Sequence, residues 1–145
     1  MDSPQRSLRV GVVGAGHLGR IHIQQWKEVP EAVLVGFHDP DLSRSAIIAQ
    51  EFGIPAVSFA DLLSTCDAID VVTPTITHAL LATQVLEARR HLFIEKPLSE
   101  RSEEAAAMIE LAEANGLVAQ VGHVERFNPA FRAALPALKD PMFIE

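Results

Sequence analysis

Gly14, Gly16 and Gly19 have the spacing G-x-G-x-x-G and stand directly behind the apolar run Leu8 to Val13. That chemistry is the seating of a diphosphate on the first free amides of a helix, so a strand must precede the glycines and a helix must follow. Gly14 would make the tight turn, Gly16 would let the diphosphate approach the backbone, and Gly19 would let the helix lie close on a sheet. Ala15, His17 and Leu18 complete the loop. Asp39 follows Gly19 at a distance of twenty residues. A carboxylate there can accept hydrogen bonds from both adenosine ribose hydroxyls, which favours NAD over NADP, because a 2′-phosphate would meet its charge unless Arg44 swings in. The competing role for Asp39 is as a helix cap, a task for which Asp41 and Ser43 are also placed.

Three further groups stand where strands should end. Thr73-Pro74-Thr75 offers hydroxyl and backbone groups to a cofactor or makes a plain turn, and His78 in the next helical turn either touches a ligand or is structural. Glu95 and Lys96 are neighbours on a strand and are expected to project to opposite sides. A lysine at the mouth of a parallel sheet, partly desolvated beside a cationic nicotinamide, is suited to proton transfer; otherwise it is a surface residue bounding a strand. His17, His22, His38, His91 and His123 have no ligand spacing such as His-x-x-x-His, so no metal is expected.

The elements that must position these residues follow from apolar periodicity. Strands are expected at 8–13, at 32–37 as a run buried on both faces, at 56–58, 68–73, 91–94 and 117–121. Between them the pattern predicts helices. The first, 17–28, should turn Leu18, Ile21 and Trp26 inward; the second, 41–52, Leu42, Ala46, Ile47 and Ala49. Ser58 and Asp61 form a capping box for a short helix. A helix over 76–89 should bury Ile76, Ala79, Leu80, Thr83 and Leu86, and one over 103–114 should bury Ala105, Met108, Ile109 and Ala112 before the Asn115-Gly116 stop. Asn128 caps a last helix with Pro129 at its first position, and Pro141 to Glu145 reads as the start of a strand. Such alternation gives an α/β fold, a doubly wound parallel sheet of Rossmann type with helices on both faces and ligands outside the C-terminal strand ends.

The 145 residues fit one domain. With 48% hydrophobic and 21% charged residues the composition is that of a soluble protein. The N-terminus has no secretory layout and Cys66 is the single cysteine, so cytoplasm is expected. A net charge of −7 argues against nucleic acid or an anionic membrane as partner. It leaves a dinucleotide open, since helix amides bind phosphate without a basic patch.

Four stretches together resemble the N-terminal half of the Gfo/Idh/MocA oxidoreductases: Val-Gly-Ala-Gly-His-Leu-Gly at 13–19, Thr-Pro-Thr-Ile-Thr-His at 73–78, His-Leu-Phe-Ile-Glu-Lys-Pro-Leu at 91–98 and Val-Gly-His-Val-Glu-Arg-Phe-Asn-Pro-Ala at 121–130. The resemblance implies hydride transfer between NAD(P) and a carbinol carbon of a sugar or cyclitol. It implies that Lys96 matches the lysine near nicotinamide and the substrate hydroxyl, and Glu95 the carboxylate near the nicotinamide ribose. Arg126 to Pro129 match the segment leading to a substrate domain, with Arg126 and Asn128 as candidate cofactor contacts. The wording around His123 further resembles the branch acting on nucleotide-linked amino sugars, such as UDP-N-acetylglucosamine 3-dehydrogenases. Family members carry a second, sheet-based domain that supplies further catalytic groups and commonly the oligomer interface. Residues 1–122 are therefore expected to be the dinucleotide domain and 123–145 a linker helix with the start of a truncated substrate domain, binding cofactor but turning over little alone.

Other classes meet obstacles in the residues. A short-chain dehydrogenase needs a catalytic tyrosine, and the chain has none. A P-loop needs Gly-Lys-Ser/Thr, whereas Arg20 follows Gly19. A methyltransferase using S-adenosylmethionine shares the loop and Asp39 but leaves Glu95-Lys96-Pro97 without a role. A stand-alone NAD-binding sensor or assembly module is the competing reading from a different class.

Overall fold

The computed structural model describes residues 6–138. Its apolar runs form five parallel strands, β1 (Leu8–Val13), β2 (Ala32–His38), β3 (Ala68–Val71), β4 (His91–Ile94) and β5 (Ala119–Val121), in the order β2-β1-β3-β4-β5. Parallel neighbours cannot be joined by tight hairpins, so crossovers intervene. These carry α1 (His17–Lys27), α2 (Leu42–Phe52), α3 (Phe59–Thr65), α4 (His78–Glu87) and α5 (Ser102–Ala114). A 3-10 turn, Val124–Phe127, and α6 (Pro129–Ala134) follow β5. The strand order reverses between β1 and β3, which places the crevice for a ligand above their C-terminal ends. No helix among the described residues is long and apolar enough to cross a membrane.

Each face of the sheet has its own core. Val12, Ala15, Ile23, Phe37, Ile48 and Val72 pack on the α1–α2 side. Leu62, Ile69, Val85, Leu86, Ile94 and Met108 pack with α3, α4 and α5 on the other, together with the buried free thiol of Cys66. Burying each large aliphatic contributes about 1.5–3 kcal/mol. The turn chemistry acts as its residues dictate: the Ser58 hydroxyl accepts the Asp61 amide at 3.1 Å and caps α3, while Gly53 closes α2 with φ 65°.

Several expectations give way. β2 is an edge strand, with Val33 half exposed, because no strand pairs on its outer side among the described residues. The 56–58 stretch makes only a bridge between Ala56 and Phe37. α1 buries Gly19 and Ile23; Leu18 and Ile21 stay exposed because they wall a cleft instead of the core. α2 buries Ser45 and Ile48, leaving Leu42 and Ile47 outside, and Ile76, Leu80 and Ile109 are likewise exposed. Asn128 does cap α6, its Oδ1 accepting the Ala130 amide at 2.9 Å. The strand expected at 141–145 lies outside the described residues.

The register decides what the fold offers to a ligand. His38, Val13, Val71, Ile94 and Val121 stand side by side as the last residues of their strands. The next residue of each strand forms the C-terminal rim: Asp39, Gly14, Val72, Glu95 and Gly122. Backbone bonds continue into this row, with the amides of Gly14, Val72, Glu95 and Gly122 donating to His38, Val13, Val71 and Ile94. Asp39 and Glu95 thus stand three strand spacings apart, roughly 14 Å, on one edge of the sheet.

Candidate functional site

The glycine loop is shaped by close approach. Gly14 has φ 98°, a left-handed conformation unsuited to a side chain, and a Cβ there would come 2.7 Å from the Val72 carbonyl. A Cβ on Gly19 would lie 2.0 Å from the Gly14 carbonyl, so only glycine lets α1 rest on the loop. Gly16 differs, since a Cβ there would meet nothing within 4 Å and the space in front of it is open. Gly16 is also the N-cap of α1, and no side chain caps that end. The amides of His17, Leu18 and Gly19 are therefore the helix's free donors at an uncapped positive dipole end.

Ala15 is an exception to the expected set. Its amide donates to Asp39 Oδ2 at 2.8 Å and serves the protein, not a ligand. Asp39 Oδ1 accepts the Asp41 amide at 2.9 Å, and the Arg44 guanidinium reaches both oxygens at 3.0 and 3.1 Å. The cap of α2 is Asp41, which accepts the Arg44 amide at 3.0 Å, so Asp39 is released from capping. Burial pushes the Asp39 carboxyl up, but the Ala15 and Asp41 amides and Arg44 outweigh it and hold it below the usual carboxylate range.

A cleft of about 770 Å³ runs from Asp39 and Arg44 past Gly14 and Gly16 to Thr73 and Pro74. His17 and Leu18 line it as well, while Thr75 does not, because it enters the 3-10 turn that leads into α4. His78 corrects the expectation of a ligand contact. It is buried, with Nδ1 2.8 Å from the Pro97 carbonyl and Nε2 2.8 Å from the Thr73 carbonyl, so both ring nitrogens face carbonyls of the chain itself and one of them donates.

Leu18 also borders a second cleft of about 450 Å³, walled by Ile21, Trp26, Phe93 and Val124 and holding His22, Asp70, Glu95 and Lys96. Glu95 is buried and Lys96 exposed. Both edge this one cleft because β4 ends at Ile94 and strict alternation stops there. Glu95 Oε2 accepts the Lys96 amide at 3.1 Å, and the Lys96–Pro97 peptide bond is cis. Arg126 and Asn128 are not brought to either cleft. They lie in the exposed stretch 123–138, Arg126 beside the β5 edge and Asn128 bonded to Glu125 Oε2 at 2.8 Å.

Sequence reasoning took His22 only as a histidine without ligand spacing and Trp26 only as core-facing, and gave no role to Gly122, where a Cβ would strike Glu95 Oε1 at 2.5 Å, or to Asp70, all of which stand beside Glu95. The one signal available was a charged residue inside the apolar run 68–72. Among the described residues no group of three or more His, Cys, Asp or Glu is arranged to hold a metal ion.

Sheet order, glycine cradle and rim carboxylate together define a dinucleotide-binding α/β domain. The family model for the Gfo/Idh/MocA oxidoreductases, NAD-binding Rossmann fold, matches residues 8–123, and the chain belongs to that family. It is 40% identical over 126 residues to UDP-N-acetylglucosamine 3-dehydrogenase of Acidithiobacillus ferrooxidans, covering 86% of this chain and 40% of the relative. It is 36% identical to the NAD⁺-dependent scyllo-inositol 2-dehydrogenase of Bacillus subtilis, covering 90% of this chain and 40% of that protein. The solved structure of GenD2 from gentamicin A biosynthesis in complex with NAD superposes with a TM-score of 0.87 at 28% identity, covering 97% of this chain and 41% of that one. The chain thus spans about two fifths of the length of the relatives it matches.

Proposed function

We propose that this chain is the cofactor-holding part of an NAD-dependent dehydrogenase that oxidises a carbinol carbon of a sugar, nucleotide sugar or cyclitol. The observation that carries this is the rim itself. Asp39 and Glu95 stand on one row of the sheet, with an open, uncapped helix N-terminus between them. Residues 1–122 are the dinucleotide domain, and 123–145 lead toward a substrate domain that would bring sugar contacts and the subunit interface. The dehydrogenase names of the relatives support the substrate class.

The residues present fit NAD. Asp39 would take the adenosine ribose, while the His17, Leu18 and Gly19 amides with the open face of Gly16 would take the diphosphate. Thr73 and Pro74 would line the path, and Glu95 would meet the nicotinamide ribose. When bound, NAD supplies a hydride acceptor at its nicotinamide ring. Lys96 Nζ, exposed on the rim, would exchange the proton of the substrate hydroxyl. Leu18, Ile21 and Phe93 would keep water from that end.

The test is thermal shift and calorimetry of this chain with NAD⁺, NADH, NADPH and S-adenosylmethionine. Stabilisation by NAD(H), reduced in Asp39→Ala, is expected. Stabilisation by S-adenosylmethionine alone would overturn the reading.

A further inference from the structure

Asp70 sits in the middle of β3 with its side chain wholly buried. A charge in that position requires partners. Oδ2 accepts the Trp26 indole N–H at 2.7 Å and lies 2.8 Å from His22 Nδ1, while Oδ1 has no partner among the described residues. An indole nitrogen only donates, so Asp70 Oδ2 is an acceptor there, and with Asp70 as a carboxylate the proton between the two side chains lies on His22 Nδ1. The other ring nitrogen, Nε2, stands 3.3 Å from Glu95 Oε1. Glu95 is itself an acceptor, taking the Lys96 amide on Oε2. Without a further proton, the Nε2 lone pair would face a carboxylate oxygen. A second ring proton, on Nε2, would lie between His22 and Glu95 and remove that clash.

Nothing in the glycine cradle requires this arrangement. The groups facing His22 are Asp70 from β3 and Glu95 and Lys96 from the end of β4, with only neutral Gln25 and Trp26 from its own helix and Val124 from the 3-10 turn. The Phe93 ring meets the imidazole edge-on, 6.0 Å between centroids, and seats it. Opposite, Gly122 leaves Glu95 just enough room. Burial opposes a charged imidazole, yet the hydrogen bond and charge of Asp70, followed by those of Glu95, hold His22 above the usual imidazole range.

We propose that His22 is a positioning residue which, anchored on Asp70 and sharing a proton with Glu95, fixes the Glu95 carboxylate at the nicotinamide end of the rim and makes NAD⁺ binding depend on pH. The inference rests on the reading of Glu95 given under Proposed function. With His22 charged, Glu95 is held. Once Nε2 loses its proton, lone pair faces carboxylate, Glu95 swings away, and cofactor affinity falls as pH rises.

The experiment has two arms on this chain. In the unliganded protein, an imidazole NMR titration is expected to place the His22 midpoint above that of a free imidazole, and Glu95→Gln to lower it. By calorimetry, NAD⁺ affinity should fall about tenfold between roughly pH 6 and pH 9, following the His22 midpoint. His22→Gln, which keeps a donor toward Glu95 but cannot titrate, should bind NAD⁺ with a flat profile. A wild-type profile that is flat while NAD⁺ still binds would overturn the inference, as would a His22 midpoint in the ordinary range that Glu95→Gln leaves unmoved; neither result requires His22→Gln to fold. Failure of NAD⁺ to bind at every pH would instead overturn the functional reading beneath it, and the cofactor half of this inference with it.

Discussion

Asp39 and Glu95 occupy the same row of the same sheet, three strands apart, and the protein secures them in different ways. Asp39 is held by two main-chain amides and by Arg44, groups that stay donors at every pH the fold survives. Glu95 is held by one amide and stands against a histidine whose proton can leave. A carboxylate bound by amides is a fixed fitting, whereas one bound through an imidazole is conditional. The difference separates a rim position that recognises from one that can be adjusted.

The largest break in this comparison should come from its shared foundation. Gly19→Ala places a methyl group 2.0 Å from the Gly14 carbonyl and forces α1 off the loop, costing about 3 kcal/mol in denaturant unfolding and affecting both ends of the rim. Trp26→Phe strikes only the Glu95 end. It removes a donor from the wholly buried Asp70 and should cost about 2 kcal/mol by the same measurement, with NADH recognition at the Asp39 end preserved. Asp39→Ala does the reverse, weakening NADH at least tenfold by calorimetry, about 1.4 kcal/mol.

Asp39 and His22 should also divide the pH dependence of stability. The folded pKa of Asp39 is depressed, so its contribution is present above the ordinary carboxylate range and lost as pH falls through the folded value; Asp39→Asn should flatten this acid limb. The folded pKa of His22 is raised, so its contribution is full below the ordinary imidazole range and lost as pH rises through the folded value; His22→Gln should flatten this alkaline limb. Urea midpoints across the pH range read both. The smallest effect belongs to Arg44→Ala. Its half-exposed guanidinium contributes under about 1 kcal/mol to stability, but losing it should weaken NADPH severalfold more than NADH, because the countercharge beside the ribose site is gone.

The Asp39 end was readable in the sequence because its requirements are local. A turn that only glycine can make and a carboxylate twenty residues on both leave marks at fixed spacing. The Glu95 end was half readable, since Glu95 and Lys96 stand out as charges at a strand end. Their supports come from α1, β3 and the end of β5 and meet only in three dimensions, so no spacing announces them. Helix phase placed Leu86, Met108 and Ala112 in the core as expected, and missed elsewhere for a related reason. Leu18 and Ile21 are apolar because they wall a cleft, and periodicity alone does not distinguish a cleft wall from a core. In α2 and α4 small and large apolar residues occupy more than one face, and the buried choice, Ile48 over Ile47 or Val85 over Leu80, was made by the sheet beneath.

His78 joins the carbonyl of Thr73, in the loop after β3, to that of Pro97, in the loop after β4, from a single buried ring. That single ring, packed between the two loops, restrains both. The rim above these strands should then tilt as a plate instead of flexing as two flaps.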